Sequence, residues 1–354
     1  MKSRKTIATP PGATIKEQLD DRGMTQKEFA QRMDLSEKHI SRLINGEVHL
    51  TPDVALRLEH VLGIPAQFWI NLEALFREKC ARVEEENAMD SDMELAKKIP
   101  YAETMKKGWI PAAASAEERV RNLRSYFCVA KLEIIDNILI HGIAYRRTEI
   151  KDSSIYALAV WAQKAKLIAA KMQVGAINIE RLIHELPAIR RMSAQSPKVF
   201  LPRLTELLKN CGIALVLLPH MQGSFLHGAS FYDGKKIVLG VTLRGQDADK
   251  FWFSLFHEIS HIILGHLGRL EPLTEEEEKE ADTLAEDILI PEDQYRQFVS
   301  LGLFSERKIR EFANQLEIDP GIVVGRLQND GYLKFSQCNQ LKKKYVFGES
   351  AGMK

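Results

Sequence analysis

The feature that most constrains this chain is an apolar run, FWFSLFHEISHIILGHLG at residues 251–268, with polar side chains in its middle. Its apolar positions recur with the period of a helix, so we predict a helix packed into a core. His257 and His261 are four residues apart and lie on one face, where two imidazoles can bind one Zn²⁺ ion. Glu258 is placed to take a proton from an attacking water. Three polar groups in an apolar helix are costly without a partner such as a metal, so the run predicts a metal centre.

A catalytic zinc site needs a third protein ligand. His266 comes five residues after His261, and we expect it to point to another side of the helix, as a helix-end residue or a support for a ligand. The better source is LTEEEEKEADTLAEDILIP, which opens a further helix with a capping-box pattern, Thr-x-x-Glu. We predict Glu278 as the third ligand, with Glu280 left open as the alternative. Asp282, one turn on, is placed to hold a ligand histidine by its second nitrogen.

The stretch TQKEFAQRMDLSEKHISRLING predicts two short helices joined by a tight turn. Thr25 and Ser36 suit the N-caps of the two helices, and the final Asn-Gly suits a stop. The exposed face of the second helix carries donors and acceptors that suit base edges and phosphates. The predicted DNA-contacting residues are Thr25, Gln26, Ser36, Glu37, Lys38, His39, Ser41 and Arg42. Residues 1–50 hold nine Lys and Arg against seven Asp and Glu, so any electrostatic attraction to DNA is local and modest.

The chain has 354 residues, which predicts two or three domains. Its four cysteines are scattered without a CxxC pair, which argues against cysteine zinc sites and a disulfide framework and fits a reduced cytoplasm. No apolar run reaches the length of a membrane span, and the N-terminus lacks the apolar segment of a secretory signal. We therefore expect a cytoplasmic protein with no membrane partner.

Helical patterns fill residues 1–79 and recur between Pro and Gly breaks over residues 80–200. From Cys211 the stretches become short and β-branched, and FYDGKKIVLG predicts a β-hairpin. Helical patterns return after about Asp247. We predict a multidomain, mainly α fold: an all-α domain (1–79), a helical connector (80–200) and a C-terminal α+β domain with a small sheet (201–354).

Residues 10–78 resemble the helix-turn-helix domain of the XRE superfamily, in its HigA-like antitoxin branch. The matching pieces are GMTQKEFAQRM, SEKHISRLINGE, LTPDVALRLEHVLGI and PAQFWINLE. The resemblance implies sequence-specific binding of double-stranded operator DNA by a homodimer. It also implies regulation of the chain's own operon, with neutralisation of a toxin protein as a family property.

Residues 200–335 resemble ImmA/IrrE-type metallopeptidases, through FWFSLFHEISHIILGH, EKEADTLAEDILIP and FANQLEIDPGIVVGRLQNDG. The resemblance implies a zincin-like, gluzin-type site in which His257, His261 and Glu278 bind Zn²⁺ and Glu258 is the general base. Members of this family are linked to cleavage of helix-turn-helix repressors. This chain has the sequence EAD where many family members have EAN. The difference concerns the residue that would support a ligand histidine and not the residues that would bind the metal.

The resemblance assigns no residue that stabilises a developing oxyanion, and the candidates near the predicted strands are His220, His227 and Tyr232. Two motif sets in one chain predict a transcriptional regulator whose zinc metallopeptidase domain regulates repressor activity by proteolysis or sensing. The expected protein partner is a toxin or a repressor substrate. The alternative is a non-catalytic antitoxin or repressor of a toxin–antitoxin operon, whose zinc domain is structural or binds a partner.

Overall fold

The computed structural model describes residues 6–135, 152–222, 227–242, 247–268 and 273–345, with the side chains of residues 152–154 left out. The chain divides into two compact units, Met1–Glu94 and Leu95–Lys354. The division into residues 1–79, 80–200 and 201–354 stays a prediction.

The first unit is helical and contains the predicted pair of short helices. Its elements are α1 (Pro11–Asp21), α2 (Gln26–Arg32), α3 (Glu37–Ile44), α4 (Pro52–Leu62) and the start of α5 (Ala66–Lys98). Thr25 and Ser36 cap α2 and α3 as predicted, each accepting a hydrogen bond from the backbone N–H three residues on. The core packs Phe29, Ile40 and Trp69, which are fully buried, so the turn between α2 and α3 is fixed by apolar packing.

The second unit is a mixed α+β structure. Its helices before the sheet are α6 (Tyr101–Lys106), α7 (Ala116–Phe127), α8 (Asp152–Ala169), α9 (Ile179–Arg191) and α10 (Pro197–Asn210). Those after it are α11 (Ala248–Ile263), α12 (Glu275–Leu289), α13 (Glu292–Ser300), α14 (Glu306–Gln315) and α15 (Pro320–Asn329). The predicted fold class, mainly helical with a small C-terminal sheet, is confirmed. Along the described residues, no helix combines the length and apolar character that crossing a membrane requires.

The sheet has three strands in the order β1-β3-β2, with β1 (Ile213–Leu218), β2 (Gly228–Asp233) and β3 (Lys236–Thr242). Strand β3 lies in the middle, parallel to β1 and antiparallel to β2, and the β2–β3 pair is the predicted hairpin. Side chains alternate between the faces of a strand. Leu239 belongs to the same core cluster as α11, whereas a side chain at Gly240 would meet Trp161 of α8. Helices on both faces explain why β3 is buried along nearly its whole length.

Helix α11 is held by aromatic packing near its start. Phe251 and Trp252 pack against Phe200 of α10 and against Tyr345, with ring centroids 4.9–6.2 Å apart. The indole N–H of Trp252 also donates to the Tyr345 hydroxyl over 3.1 Å. These contacts fix the helix that carries the predicted metal ligands.

Candidate functional site

The structure brings the three predicted ligands together. The Nε2 atoms of His257 and His261 on α11 lie 3.0 Å apart. The carboxylate of Glu278 on α12 lies 3.5 Å from His257 Nε2 and 3.8 Å from His261 Nε2. Ligand atoms around a tetrahedral zinc, with bonds of about 2.1 Å, lie about 3.4 Å from one another. The two Nε2 atoms and the Glu278 carboxylate, which faces His257 with Oε2 and His261 with Oε1, therefore fit a shared metal ion. No other group of this kind occurs among the described residues.

The first turn of α12 positions Glu278. The predicted capping box is present, since Thr274 and Glu277 exchange side-chain and backbone hydrogen bonds of 3.2 and 2.9 Å. Glu280, the alternative ligand, has a side chain 67% exposed and faces His266 at 3.7 Å. The geometry therefore favours Glu278 over Glu280.

Asp282 lies where the sequence predicts, with Oδ1 2.8 Å from His257 Nδ1. If His257 donates this hydrogen bond, its Nε2 is left free to bind a metal. Burial lowers the pKa of His257, but hydrogen bonds to Asp282 and Glu278 outweigh it and raise the pKa to about 10. Burial and the neighbouring His257 lower the pKa of His261 to about 4, which favours its neutral imidazole, whereas a metal at His257 would have to displace a proton.

The loop after α11 returns His266 onto His261, so the expectation that His266 points to another side of the helix is wrong, whereas a helix-end residue that supports a ligand fits this contact. Gly265 takes a φ of 74°, its N–H donates to Ile262 O, and the His266 N–H donates to His261 O over 3.0 Å. This is the bond pattern of a Schellman motif, which favours glycine at the position of positive φ. The side chain of His266 is buried, with Nδ1 3.0 Å from Nδ1 of His261. Gly265 is the sequence signal for this return.

Glu258 is held against strand β2 by two residues that the sequence analysis missed. Ser230 Oγ donates to Glu258 Oε2 over 2.7 Å. A Cβ on Gly228 would lie 2.6 Å from Glu258 Cγ, so this position leaves room for the carboxyl group only as glycine. Burial raises the pKa of Glu258 to about 7, against the lowering effects of His257 and Ser230. A carboxyl group tuned in this way can accept and return a proton near neutral pH.

A cavity of about 750 Å³ opens beside these residues. Its wall includes Glu258 and the candidate ligands His257 and Glu278, and it continues to Leu289 and Phe335. Ion pairs in the wall join Lys250 to Asp247 (2.8 Å), Lys342 to Asp249 (2.7 Å) and Arg326 to Glu286 (2.9 Å). These six charges pair with one another, whereas Glu258, Glu278 and Asp282 add carboxyl groups to the wall beside His257.

The three candidate residues for oxyanion stabilisation lie in different places. His227 lines the cavity beside Gly228. Neither His220 nor Tyr232 is among the described lining residues, and the Tyr232 ring instead lies against Gly268. The geometry therefore retains His227 alone.

The predicted DNA-contacting residues divide into three groups. Gln26, Glu37, Lys38, Ser41 and Arg42 are exposed on α2 and α3. Thr25 and Ser36 are exposed but already engaged as caps. His39 is half-buried, and its Nε2 has no hydrogen-bond partner among the described residues. The structure thus leaves Lys38 and Arg42 as the exposed cations of α3.

Comparison with known proteins gives separate matches for the two ends of the chain. The helix-turn-helix family profile matches residues 15–69, and the family described as IrrE N-terminal-like domain matches residues 226–327. The HTH-type transcriptional regulator YddM of Escherichia coli (strain K12) is 40% identical over 63 residues, 18% of this chain and 67% of that protein. Antitoxin HigA-1 of Vibrio cholerae is 40% identical over 73 residues, 20% of this chain and 69% of that protein.

Proposed function

We propose that this chain, which belongs to the XRE-type helix-turn-helix family and carries an IrrE-like domain at its C-terminal end, is a transcriptional regulator with a zinc-dependent endopeptidase site. The observation that carries the proposal is the cluster of His257, His261 and Glu278 with Glu258 beside it. Its donor set of two imidazoles and one carboxylate is typical of catalytic zinc, which keeps a fourth position open.

His257, His261 and Glu278 would hold the metal, which when bound polarises a peptide carbonyl and makes water more acidic. Asp282 orients the His257 ring from its other nitrogen. These residues would fix the position of the metal relative to Glu258.

Glu258 is the proposed general base and acid. It takes a proton from the attacking water as the C–O bond forms, and it passes that proton to the leaving amine as the peptide C–N bond then breaks. Ser230 holds Oε2 of the carboxylate. His227, at the cavity wall, is the candidate to stabilise the developing oxyanion.

The DNA-binding part of the proposal places α3 in the major groove of an operator, with Lys38 and Arg42 as phosphate or base contacts. A homodimer would match a palindromic site. In a cytoplasmic regulator of this kind, cleavage of a helix-turn-helix repressor or of the chain itself would change operator occupancy.

Glu258→Gln tests the peptidase. The variant keeps the three ligands, so we expect a full equivalent of zinc by elemental analysis and loss of cleavage by a factor of about 10²–10⁴. The substrates are the purified chain itself and a co-expressed helix-turn-helix repressor. A variant that still cleaves overturns the role of Glu258, and a wild-type chain without zinc overturns the metal centre.

The second candidate is an antitoxin or repressor without catalysis, and the similarity to antitoxin HigA-1 favours it. Under this proposal the metal domain is structural or binds a partner, and a toxin protein is the partner of the helical half. Co-purification with the product of a neighbouring toxin gene, equally strong for wild type and Glu258→Gln, supports it. Cleavage that depends on Glu258 contradicts it.

A further inference from the structure

We propose that His266 is a positioning residue, which holds His261 in the tautomer and ring orientation that metal binding needs. The proposal rests on the metal centre proposed above and does not require proteolysis. It follows from the return of the chain at Gly265, which brings two histidine side chains into contact at their Nδ1 atoms.

The hydrogen positions follow from the geometry. His261 directs Nε2 toward His257 Nε2, at 3.0 Å, and toward Glu278, at 3.8 Å. A neutral imidazole that binds a metal through Nε2 carries its hydrogen on Nδ1. That hydrogen faces Nδ1 of His266 over 3.0 Å, so His266 accepts it and carries its own hydrogen on Nε2.

Glu280 favours the same tautomer of His266. Its Oε2 lies 3.7 Å from His266 Nε2, on the side where the hydrogen must be. The side chain of Glu280 is largely exposed, so its influence is screened by solvent and is smaller than that of the buried His261–His266 contact.

The two ligand histidines are therefore supported differently. In the tautomers that metal binding through Nε2 requires, His257 donates to the Asp282 carboxylate, whereas His261 donates to the imidazole of His266. Both His261 and His266 are more than nine-tenths buried. Without His266, the His261 N–H would be buried without an acceptor, and the ring would gain by turning Nε2 away from the metal position.

Two substitutions separate this role from a structural one. His266→Leu removes the acceptor but leaves the backbone N–H that closes the helix, and an apolar residue at this position suits a Schellman motif. His266→Asn keeps an acceptor oxygen close to the place of Nδ1. The measurement is the Zn²⁺ affinity of the full chain by competition with a chromophoric chelator, together with the melting temperature of the metal-free proteins.

We expect His266→Leu to weaken Zn²⁺ binding by about 10–100-fold, with His266→Asn within about threefold of wild type. The metal-free melting temperatures should agree. Unchanged Zn²⁺ affinity in His266→Leu overturns the proposal, and so does equal weakening in both variants. If the wild-type protein binds Zn²⁺ but cleaves nothing, the proposed peptidase activity is wrong and the role of His266 is unaffected. If the wild-type protein binds no Zn²⁺, both the metal centre and the role of His266 are wrong.

Discussion

At the scale of single residues, Ser230 provides a direct test of Glu258 as the proposed general base. Its hydroxyl donates to Glu258 Oε2, so Ser230→Ala leaves that buried oxygen without this donor. We expect kcat to fall about tenfold, equivalent to about 1.4 kcal/mol, while zinc content is unchanged. The matched control is Ser260→Ala, because Ser260 is equally buried on α11 but donates to the backbone carbonyl of Phe256. Equal loss in both variants would mean that the effect is on packing and not on Glu258.

Residue by residue, the sequence predicts contacts within a helix and between the two motif helices, and it misses the contact that the sheet makes. His257, Glu258 and His261 lie on one turn of helix, so the helical period alone predicts their approach. Ser230 is 28 residues from Glu258 in sequence, and the two meet only because the hairpin places β2 beside α11. No spacing rule covers such a contact, which depends on the order of strands in the sheet.

At the scale of elements, the start of α12 positions Glu278, the proposed third ligand. Thr274→Ala removes the cap from the turn that precedes Glu278 and should cost about 1 kcal/mol of helix stability. We expect this variant to bind Zn²⁺ several-fold more weakly in the same chelator competition. Thr283→Ala is the control, since Thr283 lies in the same helix but donates to the Lys279 carbonyl. Wild-type Zn²⁺ affinity in Thr274→Ala would show that packing alone holds Glu278.

Helix α3 carries the prediction for DNA. Lys38→Ala with Arg42→Ala should weaken binding to the chain's own promoter and lower the salt slope by about 1 for each phosphate that is no longer neutralised. The charge-matched control is Lys79→Ala with Arg82→Ala, on exposed positions of α5. Fluorescence anisotropy over a salt series measures both. If the two double variants behave alike, the recognition helix is assigned wrongly.

The type of an element was easier to predict from the sequence than the residues at which it begins and ends. Helix α5 runs for 33 residues and passes the boundary predicted after residue 79. The segment 78–98 contains neither Gly nor Pro, so nothing in it stops a helix once it has begun. Nothing in the composition of this segment indicates where the unit to which it belongs ends.

At the scale of the whole molecule, each unit has a hydrophobic core of its own. The helical core is built from residues between Ile15 and Trp69, and the core around the metal site from residues between Leu182 and Tyr345. The candidate ligands all belong to the second unit. Bound metal therefore stabilises one core directly and leaves the other without a direct contribution.

Calorimetry of the full chain should consequently show two transitions, of which a chelator lowers only one. At a metal concentration about 100 times its Kd, binding adds about 2.7 kcal/mol, so removal should lower that transition by about 5–10 °C. The helical transition should stay in place, and operator binding at low temperature should survive chelation. His257→Ala is the control, because a chain without one ligand should melt alike with and without chelator. A single transition that shifts as a whole would mean that the two cores unfold together, and that metal binding reaches the DNA-binding unit through their coupling.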